Sequence, residues 1–310
     1  MLGRFRNRLS LIDFFHFIYL LFLLTISIST SAWNRSLVRI IILYVALLLG
    51  LLILVYVRRK IRNERLYFGL YFWYPVCYLL IIFQSMTWLL PEVNSPAIAT
   101  NKFDSILYGI DLCFYDIHPV LWFERNSHPL VTDAMYLLYS YYFFMPFLLM
   151  VLLLRHKKFV ALENSYFILA LSFYLGYIGY LLVPAKGPRF YLDIEPLQGV
   201  YCAEFLRNLI DFLEPNKHDV FPSMHQLINV VILVLSYRYE RKLFYVSLPI
   251  SIGITTSLMY CQYHYVIDVV AGAFLAILFY LLGNYVIEKQ NSLFCCHLLT
   301  GELILKNSCP

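Results

Sequence analysis

The sequence predicts an all-α fold, a polytopic membrane helical bundle of about eight transmembrane helices with the N- and C-termini inside. Three observations lead there. Of 310 residues, 61% are hydrophobic and only 14% are charged, against about 25% charged in an ordinary globular domain, and the mean hydropathy is +0.69. Apolar stretches of roughly the 20 residues that a bilayer-spanning helix needs recur along the whole chain. Lys and Arg cluster in alternate connections between those stretches, as the positive-inside rule requires. Aromatic residues reach 18%, with 27 Tyr and 25 Phe, and suit a chain that lines a bilayer and its interfaces. The net charge of +5 is modest and gives no reason to invoke nucleic acid as a partner.

Taken in order, the expected spans lie near 11–31, 38–57, 66–90, 134–154, 164–184, 222–237, 243–262 and 265–285. The first, "LIDFFHFIYLLFLLTISIST", follows Arg4, Arg6 and Arg8. A cleaved signal peptide has a shorter apolar region followed by a small-residue cleavage site; this stretch is too long for that, so it reads as a retained span. The sixth is short. Two connections are long, 91–133 and 185–221, and in the first the half-apolar "FDSILYGIDLCFYDIHPVLWFE" is expected to lie on the interface. With the N-terminus inside, the inner segments hold Arg4, Arg6 and Arg8, "RRKIRNER" at 58–65, "RHKK" at 155–158, Arg238, Arg241 and Lys242, and Lys289 and Lys306, two thirds of the 24 basic residues. The chain then divides into residues 1–133, N-terminal spans with an outer interfacial loop; 134–290, a second bundle of spans; and 291–310, a cytoplasmic tail. Seven cysteines occur without CxxC or metal-finger spacing. Cys113 and Cys202 fall in outer loops and could pair in an oxidising compartment, although free thiols are the simpler reading.

Three polar clusters share the outer, non-cytoplasmic side. The fifth span ends in "LLVPAKGPRF" with Lys186 and Arg189, the sixth starts at "FPSMH" with Ser223 and His225, and the eighth starts at "CQYHYVIDVVAG" with His264 and Asp268. Each terminates a helix at one membrane face, so all three can converge. His264 and Asp268, four apart, share a helix face. A carboxylate there accepts a hydrogen bond from one ring nitrogen and leaves the other as a nucleophile. Gly272 continues that face and admits a close helix crossing. Pro222 suits a first helical turn, whose free N–H groups and dipole attract an anion. Ser223 can donate to the same anion, Arg189 offers a planar fork suited to phosphate oxygens, and Lys186 adds a point charge. Bland readings stand beside these: a His-x-x-x-Asp pair can satisfy itself, and "PAKGPR" alone could be an interfacial turn with snorkelling cations. Asn229 reads as an interhelical hydrogen bond. His118, His128, His218, Asp104, Asp111 and Asp116 read as solvated loop residues.

The order of a Lys/Arg cluster, Pro-Ser-x-His and His-x-x-x-Asp resembles the type 2 phosphatidic acid phosphatase superfamily, whose signature motifs are Lys-x6-Arg-Pro, Pro-Ser-Gly-His and Ser-Arg-x5-His-x3-Asp. The resemblance covers roughly residues 180–275. Ser257, His264 and Asp268 keep the third motif's spacing. Met224 replaces the Gly of the second motif, Leu258 replaces the Arg of the third, and the first is compressed to "KGPR". Met224 and the missing Arg look more like the branch containing inositol phosphorylceramide synthases. The resemblance implies a membrane-embedded lipid phosphate phosphatase with no cofactor. His264 attacks phosphorus to form a phosphohistidine, Asp268 orients it, and His225 serves as general acid and then base. Arg189, Lys186 and Ser223 hold the phosphoryl oxygens. With a lipid or inositol hydroxyl in place of water as acceptor, the same intermediate makes a phosphotransferase. A divalent-metal transporter using the His-x-x-x-Asp pair is a remote alternative, which Lys186 and Arg189 oppose by repelling a cation.

Overall fold

The structure, a computed structural model, describes residues 10–30, 34–61 and 63–306, so Arg4, Arg6, Arg8 and the last four residues of the expected tail lie outside the described residues. Thirteen helices and no strands occur among the described residues. They are α1 (Leu11–Ser29), α2 (Arg35–Lys60), α3 (Glu64–Ala99), α4 (Lys102–Phe114), α5 (Pro119–Arg125), α6 (Pro129–Tyr141), α7 (Met145–Arg155), α8 (Phe159–Leu182), α9 (Pro188–Tyr191), α10 (Ala203–Leu213), α11 (Met224–Tyr239), α12 (Arg241–Tyr260) and α13 (Val266–Lys306).

Local chemistry sets the ends and bends. Ser10 and Asp13 form a reciprocal capping box at the start of α1, satisfying two backbone donors that the first turn leaves free. Asn34 caps α2 by accepting from the N–H of Leu37 at 2.8 Å. Three prolines interrupt α3, which leaves helical geometry at Asn94. There the Asn94 amide donates to the Leu181 carbonyl of α8 at 2.9 Å.

Among the described residues, six helices are long and apolar enough to cross a membrane, or seven if α6 and α7, bent by 46°, form one broken span. The expected span 134–154 is therefore two helices, and Pro146 in the first turn of α7 fits that restart. The expected short span 222–237 is α11, only 16 residues long. It packs against α7, α8, α12 and α13, and Leu227, Ile228, Val231, Ile232 and Leu235 are fully buried along it. A helix wrapped in protein need not match the thickness of the hydrocarbon. The α2 helix is the opposite case and presents Ile42, Leu49, Leu52 and Ile53 outward, as a lipid-facing span should.

The basic run at 58–65 is not wholly solvated. Arg58 is buried and ion-paired with Asp13 of α1, whose carboxylate also accepts from the Tyr74 hydroxyl at 2.5 Å. Burying either charge singly would be costly, so α1, α2 and α3 are tied together by a paired one.

The C-terminal end of α8, the N-terminus of α11 and the α12–α13 joint meet at one end of the bundle. The connection 91–133 covers that end. Helix α4 contacts α3, α9 and α13, while α5 contacts α12. From the second long connection, α10 packs on α6, burying Ala203 and Ile210 and turning Phe205 and Phe212 outward.

Candidate active site

The three polar clusters come together through backbone contacts. The N–H of Arg189 donates to the Gln262 carbonyl at 3.0 Å, and the N–H of Ser223 donates to the Asp268 carbonyl at 3.2 Å. Close approach is built in at two glycines. A Cβ on Gly272 would stand 2.5 Å from the Ser223 carbonyl oxygen, and one on Gly187 would stand 2.5 Å from the Tyr263 carbonyl oxygen. Gly187 also has a φ of +86°, which L side chains rarely adopt.

Acids from the long connection 91–133 hold these segments in place. Asp104 on α4 accepts from the N–H groups of Lys186 (2.9 Å) and Gly187 (2.9 Å) and from the Tyr265 hydroxyl at 3.1 Å. Asp111, one face along α4, accepts from the N–H groups of Val266 (2.8 Å) and Ile267 (2.9 Å), so it caps α13. His118 lies 3.2 Å from the same carboxylate. Asp133 on α6 accepts from four successive N–H groups, Val200 to Ala203. Asp104, Asp111 and His118 are each no more than 2% exposed, which corrects their reading as solvated loop residues. Backbone N–H groups at turns and helix starts need acceptors, and here side chains distant in sequence supply them. Asp116 and His128 are exposed as expected, and His128 accepts from the Leu130 N–H at the start of α6. Cys113 and Cys202 are free thiols.

At the centre, His264 Nδ1 lies 3.1 Å from Asp268 Oδ1, and Asp268 is further held by the Tyr265 N–H at 3.0 Å. His264 Nε2 faces both Ser223 Oγ and His225 Nδ1, at 3.4 Å each. His264, His225, Ser223 and Asp268 are all buried. Ser223 departs from expectation: it precedes α11 as its N-cap, accepting from the Gln226 N–H at 3.3 Å. Pro222 therefore sits before the helix and not in its first turn, because a Ser side chain caps a helix better than an internal residue could.

Arg189 is held by Asp211 of α10 through both terminal nitrogens, at 3.2 and 3.3 Å, and by the Tyr263 hydroxyl at 3.1 Å. Lys186 and Arg189 line a cavity of about 680 Å³ together with His225 and His264. The far wall of that cavity is apolar and includes Leu79, Phe83, Phe147 and Phe173 from α3, α7 and α8. Asp219 also lines it, and burial, then the Glu214 charge, holds its carboxyl well above the usual carboxylate range. Among the described residues, no three His, Cys, Asp or Glu side chains are grouped to hold a metal ion.

The remaining parts of the third pattern are structural. The Ser257 hydroxyl donates to the Ile254 carbonyl of its own helix at 2.7 Å. Leu258 is fully buried, and its carbonyl accepts from the N–H of His264 at 3.1 Å. Asn229 donates to the Ser251 carbonyl of α12 at 3.2 Å, an interhelical bond.

Against this geometry, the PAP2 superfamily matches residues 113–282, more than half of the chain. The chain belongs to the PAP2 superfamily. A PA-phosphatase related-family protein of Dictyostelium discoideum is 31% identical over 111 residues, which is 34% of this chain and 20% of that protein. The chain thus matches only about a fifth of that relative's length. No solved structure matches. The residues of this PAP2 chain that motif spacing missed are Asp104, Asp111, Asp211 and Glu214. Asp211 lies in the last turn of the amphipathic α10 and Glu214 immediately beyond its end, and their spacing does not say what they meet.

Proposed function

We propose that this PAP2-superfamily protein is a membrane-embedded lipid phosphate phosphatase acting through a phosphohistidine on His264, with its site on the non-cytoplasmic face. The observation that carries the reading is the buried line His225–His264–Asp268 opening onto a cavity with cations at one end and apolar helices at the other. A lipid phosphate needs both ends. The alternation of basic residues along the chain supports the assignment of the face.

In the first step the Nε2 lone pair of His264 forms a bond to phosphorus as the bond from phosphorus to the lipid oxygen breaks. That oxygen keeps the electron pair and takes a proton from His225 Nδ1. In the second, water attacks phosphorus and gives its proton back to His225, while the phosphorus–Nε2 bond breaks and its electrons return to His264. Asp268 opposes Nδ1 of His264 and stabilises the charged ring. Arg189, Lys186 and the N-terminus of α11 face the phosphoryl oxygens as charge builds there. Ser223, at 3.4 Å from Nε2, adds a hydroxyl beside the attacking atom.

Transfer of a phospho-headgroup to a lipid or inositol hydroxyl is the second reading. Met224 in the second motif and Leu258 in the third favour it, because both look more like the inositol phosphorylceramide synthase branch. The purified protein in mixed micelles, given labelled lipid phosphates with and without inositol or ceramide, decides between them. Inorganic phosphate released by the wild type and absent in His264→Ala establishes the phosphatase. Label in a new lipid only with acceptor establishes the transferase. Wild-type turnover unaffected in His264→Ala would refute both.

A further inference from the structure

Glu214 stands immediately beyond the end of α10, and its Oε1 lies 3.1 Å from His225 Nε2. Its other oxygen faces the Tyr139 hydroxyl at 3.4 Å. The end of α10 is itself anchored, since Gln84 of α3 donates to the Leu213 carbonyl at 3.0 Å. The ring of His225 is packed between Tyr139 and Tyr142, with centroids at 4.6 and 4.4 Å. Its edge therefore points one way only, with Nε2 to Glu214 and Nδ1 to His264.

The result is a line of four groups: carboxylate Glu214, imidazole His225, imidazole His264 and carboxylate Asp268. The two inner nitrogens are 3.4 Å apart. Two bare lone pairs at that distance repel, so one proton belongs between them. A carboxylate beyond each ring favours an N–H on each outer nitrogen. The outer contacts at Glu214 and Asp268 are off-line for hydrogen bonds, and such contacts commonly tighten only in the substrate complex.

We propose that Glu214 is a positioning residue for phosphoryl transfer. Its carboxylate holds the Nε2–H of His225, so that Nδ1 is the nitrogen that gives a proton to the leaving oxygen and takes one from the acceptor. The inference rests on the phosphoryl-transfer reading above. The balance of each step is the one given there. Glu214 itself forms no bond to phosphorus and exchanges no proton with substrate.

The test uses the full chain in micelles, as wild type, Glu214→Gln and Glu214→Asp, with an aryl phosphate and an alkyl lipid phosphate. An aryl oxygen leaves without help, whereas an alkyl oxygen needs its proton. Glu214→Gln should widen the aryl-to-alkyl rate gap by about 100-fold, in the range typical of a positioned general acid, and Glu214→Asp should restore part of it. Nitrogen-15 NMR, with the His225 signal assigned by its loss in His225→Asn, should show the Nε2–H form of His225 depleted in Glu214→Gln. If the wild type is active but the gap and the spectrum are both unchanged, the proposal alone falls. If the wild type turns over neither ester, the phosphoryl-transfer reading falls and takes the proposal with it.

Discussion

The carboxylate of Asp104 accepts the backbone N–H of Lys186 through both oxygens, at 2.9 and 3.0 Å, across 82 residues of sequence. One oxygen also takes the N–H of Gly187 at 2.9 Å. The turn that presents Lys186 and Arg189 is thus shaped by an acid on α4. Asp104→Asn replaces a charged acceptor of several donors with a neutral one. The expected loss is about 2 kcal/mol of stability, the scale of a hydrogen bond to a charged group. The midpoint of thermal unfolding in detergent reads it, and an unchanged midpoint would show that the turn holds itself.

Gly272 is where α13 meets the start of α11. A Cβ there would stand 2.5 Å from the Ser223 carbonyl, which is backbone and cannot swing aside. Gly272→Ala should destabilise the protein by about 1–3 kcal/mol, as overpacking does. It should also lower turnover, because Ser223 and His225 move with that backbone. Full activity with a wild-type melting midpoint would mean that the two helices can separate freely.

Arg189 meets Asp211 with two nitrogens and Tyr263 with one of them. Lysine cannot reproduce a planar fork. Arg189→Lys should reduce kcat/KM for a lipid phosphate on the order of 100-fold, the usual scale for losing one donor to a developing oxyanion. Steady-state kinetics in mixed micelles measure it, and a change below about threefold, small against that scale, would remove Arg189 from the phosphate site.

His218 lies in the loop between α10 and α11. Burial, then the charges of Lys186 and Lys217, pushes its imidazole down from 6.5 to about 4. The folded protein therefore refuses a proton that the unfolded chain accepts between those values. Stability should be constant above about pH 6.5 and fall as the pH drops toward 4. His218→Gln should flatten that part of the curve of unfolding midpoint against pH. If the variant follows the wild-type curve, another group is responsible.

Composition and apolar run length were enough to read a helical membrane bundle, because every backbone polar group in hydrocarbon must be satisfied within its own helix. Each span in "LIDFFHFIYLLFLLTISIST" or "AGAFLAILFYLLG" carries that requirement locally. The spacing of His264 and Asp268 was legible for the same reason, since four residues on a helix fix a shared face. Tertiary structure decided what spacing does not encode. Asp104 and Asp111 looked like ordinary loop acids and no motif pointed to Glu214; the fold turns the first two into acceptors for the backbone of the site and sets the third against His225. The break between α6 and α7, and the burial of most of the 16-residue α11, likewise followed from neighbours supplied by distant parts of the chain. A helix is written in contacts three and four residues apart. A carboxylate that holds a turn 82 residues away exists only once the bundle has closed.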